Sequence, residues 1–199
     1  PRAGEELRLK YRYLDLRRPT MQQMLQKRAT LYKYIREFMD EQEFMEVTTP
    51  IIANSSPEGA RDFLIPSRIH PGSFYALPQA PQQFKQLLMV GGVSRYYQIA
   101  ACFRDEDPRS DRLYGEFYQL DLEMSFIESG EEVRSMIEPL IVRLVDTFAG
   151  KKLLNVDIPR ISYADAMNVY GSDKPDLRFG MTLVSLSDIL AGTGFGVFA

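Results

Sequence analysis

Residues 96–126, YYQIAACFRDEDPRSDRLYGEFYQLDLEMSF, hold two stretches in which apolar and polar side chains alternate. A period of two sends successive side chains to opposite faces of a pleated strand, so each stretch predicts a strand with one apolar and one polar face. In the first, Tyr97, Ile99, Ala101 and Phe103 share a face, while Gln98, Ala100, Cys102, Arg104 and Glu106 share the other. In the second, Tyr118, Leu120, Leu122, Met124 and Phe126 form the apolar row against Phe117, Gln119, Asp121, Glu123 and Ser125. Pairing across the charged residues 107–115 gives an antiparallel ribbon whose apolar face the rest of the chain must cover. Its polar face is richer than solvation needs. Arg104 can fork onto a phosphate, Phe117 offers a flat surface to a base, and Asp121 and Gln119 can accept from an ammonium group. A solvated face laced with cross-strand ion pairs accounts for the same alternation.

Candidate covers lie on both sides of the ribbon in sequence. In residues 21–42, Met21, Met24, Leu25, Leu31, Tyr32, Ile35, Phe38 and Met39 fall on one helical stripe, with Thr20 placed to cap after Pro19. Residues 44–49 predict a strand, ended by Pro50 because proline cannot donate to a ladder. A second amphipathic helix spans 131–149, its stripe made by Val133, Met136, Ile137, Leu140, Ile141, Leu144, Val145 and Phe148. Within 53–62, SPEGARD sets Glu58 before a glycine suited to a surface loop. A short strand over 74–77 leads to a helix opened by Pro81 and stopped by Gly91 and Gly92. Phe84, Leu87 and Leu88 are expected to face the core, which puts Gln82 and Lys85 together on the opposite face. A lysine beside an amide can clamp a carboxylate, although most helix lysines are simply solvated. Residues 161–170 predict another short helix, capped by Ser162.

The net charge of −3 over 199 residues gives no global pull toward nucleic acid, so RNA contact must come from local patches. Residues 1–20 are one such patch: Arg2, Arg8, Lys10, Arg12, Arg17 and Arg18 outnumber Glu5, Glu6 and Asp15 and interleave with Tyr11 and Tyr13. A charged linker reads the same residues equally well. The single cysteine, Cys102, excludes an internal disulfide and fits a reducing compartment. The lone His70 makes neither a two-histidine metal site nor a convincing nucleophile–base pair, and no metal site is expected in the chain. No apolar run is long enough to span a membrane, and the start at Pro1 without a signal pattern reads as a piece cut from something longer.

FRDED, a charged loop and then EF-x-QLDLE resemble the second signature motif of class II aminoacyl-tRNA synthetases, in the form of the bacterial-type aspartyl branch. RLKYRYLDLRR, SPEGARDF, FYALPQAPQQFKQLLM, CFRDED and GSDKPDLRF occur in that family's order, from about Leu7 onward. The resemblance implies an α+β fold with a class II synthetase-like antiparallel β-sheet flanked by helices, present as a partial catalytic domain. Residues 1–20 would be the basic linker after an absent anticodon-binding barrel. Residues 21–199 would be the N-terminal portion of the catalytic domain, with motifs 1 and 2, ending near the start of the bacterial insertion domain.

The implied activity is aspartate–tRNA ligation: L-aspartate is activated with ATP to aspartyl-adenylate and transferred to the 3′ end of tRNA. Arg104 would act on the α-phosphate and the reacting carboxylate. Aspartate would be bound by Glu58 on a flap, Gln82, Lys85, Arg104, Gln119 and Asp121, and ATP by Arg104, Asp105, Glu106 and Phe117. Mg2+ is expected with ligands outside this chain, along with a homodimer formed through motif 1 and a cytoplasmic location. Two departures stand out: Ala80 replaces the usual serine, and Arg112, Leu113, Tyr114, Gly115, Glu116 and Phe117 replace a shorter RQPEF, so a reshaped ATP-side loop is expected. The alternatives are a non-catalytic synthetase-like module for RNA binding or dimerisation, and a tRNA-independent amide ligase that activates aspartate.

Overall fold

A computed structural model describes residues 3–56, 58–108 and 115–197. It divides into two compact units, Pro1–Leu153 and Leu154–Ala199. The first begins with two short helices, α1 (Glu5–Lys10) and α2 (Arg12–Asp15), tied together at Asp15. That carboxylate is 5% exposed and takes ion pairs from Arg8, Arg12 and Arg18, so part of the basic segment is spent on its own anchor. The excess charge expected over 1–20 is thereby organised around one buried acid.

Helix α3 (Pro19–Glu41) starts two residues earlier than the stripe suggested. Proline has no amide hydrogen to leave unsatisfied and a φ already helical, so Pro19 occupies the first turn. Thr20 therefore lies inside the helix, the N-cap is Arg18, and no side chain caps this end. Of the predicted stripe, Met21, Ile35, Phe38 and Met39 are buried, whereas Met24 and Leu25 are 50% and 43% exposed. The strand expected over 44–49 shrinks to β1 (Met45–Glu46), which pairs parallel to the ribbon.

The ribbon itself is β4 (Arg95–Arg104) against β5 (Gly115–Met124), after the hairpin β2 (Leu64–Pro66) and β3 (Phe74–Ala76). Its antiparallel register sets Tyr97 opposite Leu122, Gln98 opposite Asp121, Ala100 opposite Gln119 and Cys102 opposite Phe117. Opposed residues share a face, so the two polar rows meet on one side as the alternation requires. With β1 the sheet order is β1-β4-β5, a mixed sheet rather than a purely antiparallel one. Phe126 departs from its expected row: it lies past the strand with φ +59 and is 97% exposed.

The apolar face is covered by α3 and α5 (Gly130–Arg143). Ile35, Phe38, Met39, Phe44, Tyr97 and Leu140 form the buried cluster, with Leu120, Leu122, Met124, Met136 and Ile137 packed around it. Helix α5 opens with a capping box in which Ser129 and Glu132 satisfy each other's backbone amides, and it passes into a wider π-type turn, Leu144–Phe148. On the other face lies α4 (Gln82–Val90), with Gly91 as its C-cap. Its orientation differs from the expected one. Lys85 is the buried residue of this helix and Leu87 is 66% exposed, because α4 lies on polar groups rather than on the apolar core.

The second unit holds α6 (Tyr163–Asp165), a π-type turn (Ala166–Tyr170) and α7 (Ser187–Leu190). Ser162 caps α6 by accepting from the Asp165 amide, as its position suggested. Between these helices Arg178 forks onto both oxygens of Asp176, holding that carboxyl down at about 2.

Candidate active site

The polar face of the ribbon is not solvated. Gln98, Ala100 and Cys102 are buried there, 6%, 4% and 0% exposed, which removes the reading of a wet face with surface ion pairs. A buried polar face needs each of its groups satisfied from within or by a ligand. Lys85 meets part of that demand: its Nζ lies 3.0 Å from Asp121 Oδ1 and 3.0 Å from Glu123 Oε2. Burial pulls the Lys85 ammonium down, but the bonds to Glu123 and Asp121 together outweigh it and leave the group above its ordinary value. One cation among two carboxylates leaves the cluster net negative, which suits a further cation such as an ammonium group.

Three buried atoms on this same face have no hydrogen-bond partner among the described residues: Arg104 Nε, Asp121 Oδ2 and the Tyr96 hydroxyl. They supply donors and acceptors of the kinds a zwitterionic substrate and a phosphate would use. The Arg104 guanidinium lies 4.9 Å from the centre of the Phe117 ring, so the expected phosphate group and the expected stacking surface are one stacked pair. Gln119 accepts from the Cys102 thiol at 3.2 Å. Burial pushes that thiol up to about 11, which makes Cys102 a filler and no nucleophile.

The other predicted residues lie on neighbouring segments, and Glu58 is near enough for its charge to act on Cys102. Gln82 is exposed at the first position of α4. Asp105 lies just past β4, where its backbone pairs with Arg61: its amide donates to Arg61 O and the Arg61 Nε donates to its carbonyl, both at 2.9 Å. Glu106 follows, half-buried. Glu58 accepts from Ser56 Oγ at 3.4 Å and lines a small pocket with Asp62, Gln79, Ala80 and Phe84. Ala80, where the serine was missing, therefore faces the same pocket as Glu58. The lengthened loop at Arg112, Leu113 and Tyr114 lies outside the described residues.

Sequence reasoning passed over Glu123, Tyr96 and Gln79. Glu123 stands in the same alternating row as Asp121, and Tyr96 is two residues before Gln98, so both were within reach of the pattern. Gln79 carried no local signal, because its partners lie 17 and 19 residues away. Among the described residues, no group of three or more His, Cys, Asp or Glu side chains could hold a metal ion, and no helix is long and apolar enough to cross a membrane.

Comparison with known proteins adds an independent finding. A family model described as tRNA synthetases class II (D, K and N) matches residues 4–191. The chain is 58% identical over 199 residues, all of its length, to an aspartate–tRNA(Asp/Asn) ligase of Rhizobium meliloti, of which it covers 33%. It is 54% identical over 197 residues, 99% of its length, to the protein of the same name from Chlorobium phaeobacteroides, covering 32% of that protein. The chain thus spans about a third of the length of these curated relatives. Among solved structures, an asparaginyl-tRNA synthetase from Pyrococcus horikoshii complexed with asparaginyl-adenylate shares the fold, with a TM-score of 0.71 at 23% identity over 94% of this chain and 45% of that one.

Proposed function

Because this chain belongs to the tRNA synthetases class II (D, K and N), we propose that it supplies part of the active site of an aspartate–tRNA ligase. The observation that carries the substrate assignment is the buried Lys85, held between Asp121 and Glu123. An ammonium has three donors, and two are engaged, so one remains for the side-chain carboxylate of aspartate. The isosteric amide of asparagine would bring no charge to that remaining donor, so it would form a neutral hydrogen bond there instead of the stronger charge-assisted one, which is the basis for preferring aspartate.

In the proposed reaction an oxygen of the aspartate α-carboxylate attacks the α-phosphorus of ATP, the bond to pyrophosphate breaks, and aspartyl-adenylate forms. The terminal tRNA hydroxyl then attacks the activated carbonyl, and AMP leaves. No covalent bond to the enzyme is needed, so the residues position and stabilise charge. Arg104 neutralises the α-phosphate and orients the attacking carboxylate. Phe117, already stacked on Arg104, receives the adenine, while Asp105 and Glu106 border it. Glu58, Gln82, Gln119 and Asp121 take the substrate ammonium. Mg2+ accompanying ATP takes its protein ligands from outside this chain.

Residues 1–20 are proposed as the linker and 21–199 as the first part of the catalytic domain, in a cytoplasmic homodimer joined through α3, β1 and Pro50. The relatives' name spans both tRNA(Asp) and tRNA(Asn), and we extend the proposal to both. The test is ATP–pyrophosphate exchange by the full-length enzyme with aspartate, asparagine and lysine offered separately, followed by charging of each tRNA. Exchange with aspartate alone, then charging, is the expected result. Exchange without charging would point to an amide ligase, and no exchange to a non-catalytic module.

A further inference from the structure

We propose that Gln79 is a positioning residue that fixes the base of the Glu58 loop and ties it to the start of α4. Gln79 is 3% exposed, yet both polar atoms of its side chain are bonded to one distant segment. Its Nε2 donates to Ala60 O at 2.9 Å and to Asp62 Oδ1 at 2.5 Å, and its Oε1 accepts from the Ala60 amide at 3.1 Å. The side-chain amide thus pairs with both backbone groups of Ala60 as a neighbouring strand would. Asp62 extends the connection, because its Oδ2 accepts from Ser55 Oγ at 2.5 Å on the opposite leg of the loop. At the near end, Ala53 exchanges backbone bonds of 3.0 and 2.8 Å with Ala76. The chain Gln79–Asp62–Ser55 closes the loop at its base, with Glu58 between the two legs.

The consequence follows from sequence adjacency. Gln79 lies three residues before Gln82 and six before Lys85, so the residue that holds the Glu58 loop also leads into the helix carrying the buried lysine. An amino acid bound between Glu58 and Lys85 needs those groups at a fixed separation, and Gln79 sets it. This rests on the reading of the site as one that binds aspartate.

In the full-length enzyme, Gln79→Leu is expected to raise the KM for aspartate by about tenfold or more while the KM for ATP stays within about twofold, as loss of amino-acid positioning requires. Hydrogen exchange at the Ala60 amide should accelerate in the same variant without any substrate. Gln79→Glu places a carboxylate against both Asp62 and Ala60 O and should also raise the KM for aspartate. Adding Asp62→Asn restores a donor between positions 62 and 79 but not to Ala60 O, so it should recover part of the aspartate affinity. Unchanged Ala60 exchange, equal increases in both KM values, or no recovery in the double variant would each overturn the role of Gln79. Failure of the wild-type enzyme to activate aspartate would overturn the functional reading instead, and hydrogen exchange at the Ala60 amide would still judge the role of Gln79 at the base of the loop.

Discussion

Lys85 shows how much one buried charge depends on its surroundings. Removing it would leave Asp121 and Glu123 facing each other with no cation between them, and breaking a buried ion pair in this way costs about 3–5 kcal/mol. Glu123 is 34% exposed on its side chain, which places the expected loss for Lys85→Met at the lower end, about 3 kcal/mol. Denaturant unfolding checks the loss, and aspartate affinity should fall with it. The pH dependence has a definite sign. The folded-state pKa of Lys85 lies above its unfolded value, so the stabilisation is complete below about pH 10.4 and is lost as pH rises through the folded value. An alkaline limb in the wild-type stability curve that becomes shallower in Lys85→Met is the expected signature, with the remainder carried by Cys102 and Tyr97, which burial raises to about 11 and about 12. Cys102 works in the same direction: with its thiol pushed up to about 11 by burial, it stays protonated at neutral pH, its contribution is lost only at alkaline pH, and no chemistry falls to it.

The helices divide their labour by face. Helix α3 gives Ile35, Phe38 and Met39 to the ribbon's apolar side, whereas α4 lays Lys85 on its polar side. The entry of α5 depends on a local device, the reciprocal bonds of Ser129 and Glu132. Ser129→Ala should therefore cost about 1 kcal/mol, the usual worth of an N-cap hydroxyl, with amide exchange accelerating in the first turn of α5. No comparable loss is expected for Thr20→Ala, since Thr20 lies inside α3 and caps nothing. A larger loss at Thr20 than at Ser129 would contradict this assignment of caps.

Across the whole chain, burial is concentrated in the first unit. In the second, Ala166 is the one core residue among those described, while Leu154, Phe179, Met181, Val184 and Ile189 are each more than two-thirds exposed. Local stability follows buried apolar contact, so amides of residues 154–197 should exchange near the rate of an open chain while those of β4 and β5 stay protected. Equal protection of the two units in the chain as it stands would refute this.

The sequence carried the ribbon because period-two alternation is a local property: which residues share a face of β4 and β5 follows from counting, and the register did not disturb it. The apolar stripes of α3 and α5, the cap at Ser162 and the motif order that marks the family were legible for the same reason. The ends of elements were less so. β1 is two residues long because the backbone ladder to β4 ends with the Val47 amide donating to Tyr97 O, after which Thr49 bonds the Gln98 side chain instead, and Pro19 rather than Thr20 sets the start of α3. What folding alone decided is which face of α4 turns inward and which distant groups meet. Leu87 promised a core contact and Lys85 the face away from the core, yet two carboxylates 36 and 38 residues further along turn Lys85 inward and leave Leu87 outside, since an acidic pair on a largely buried face needs a cation more than it needs a methyl group. Gln79 is the same case in neutral form: nothing near it in the chain foretells a buried amide, and only the return of Ala60 and Asp62 to its side supplies the three hydrogen bonds that make its burial possible.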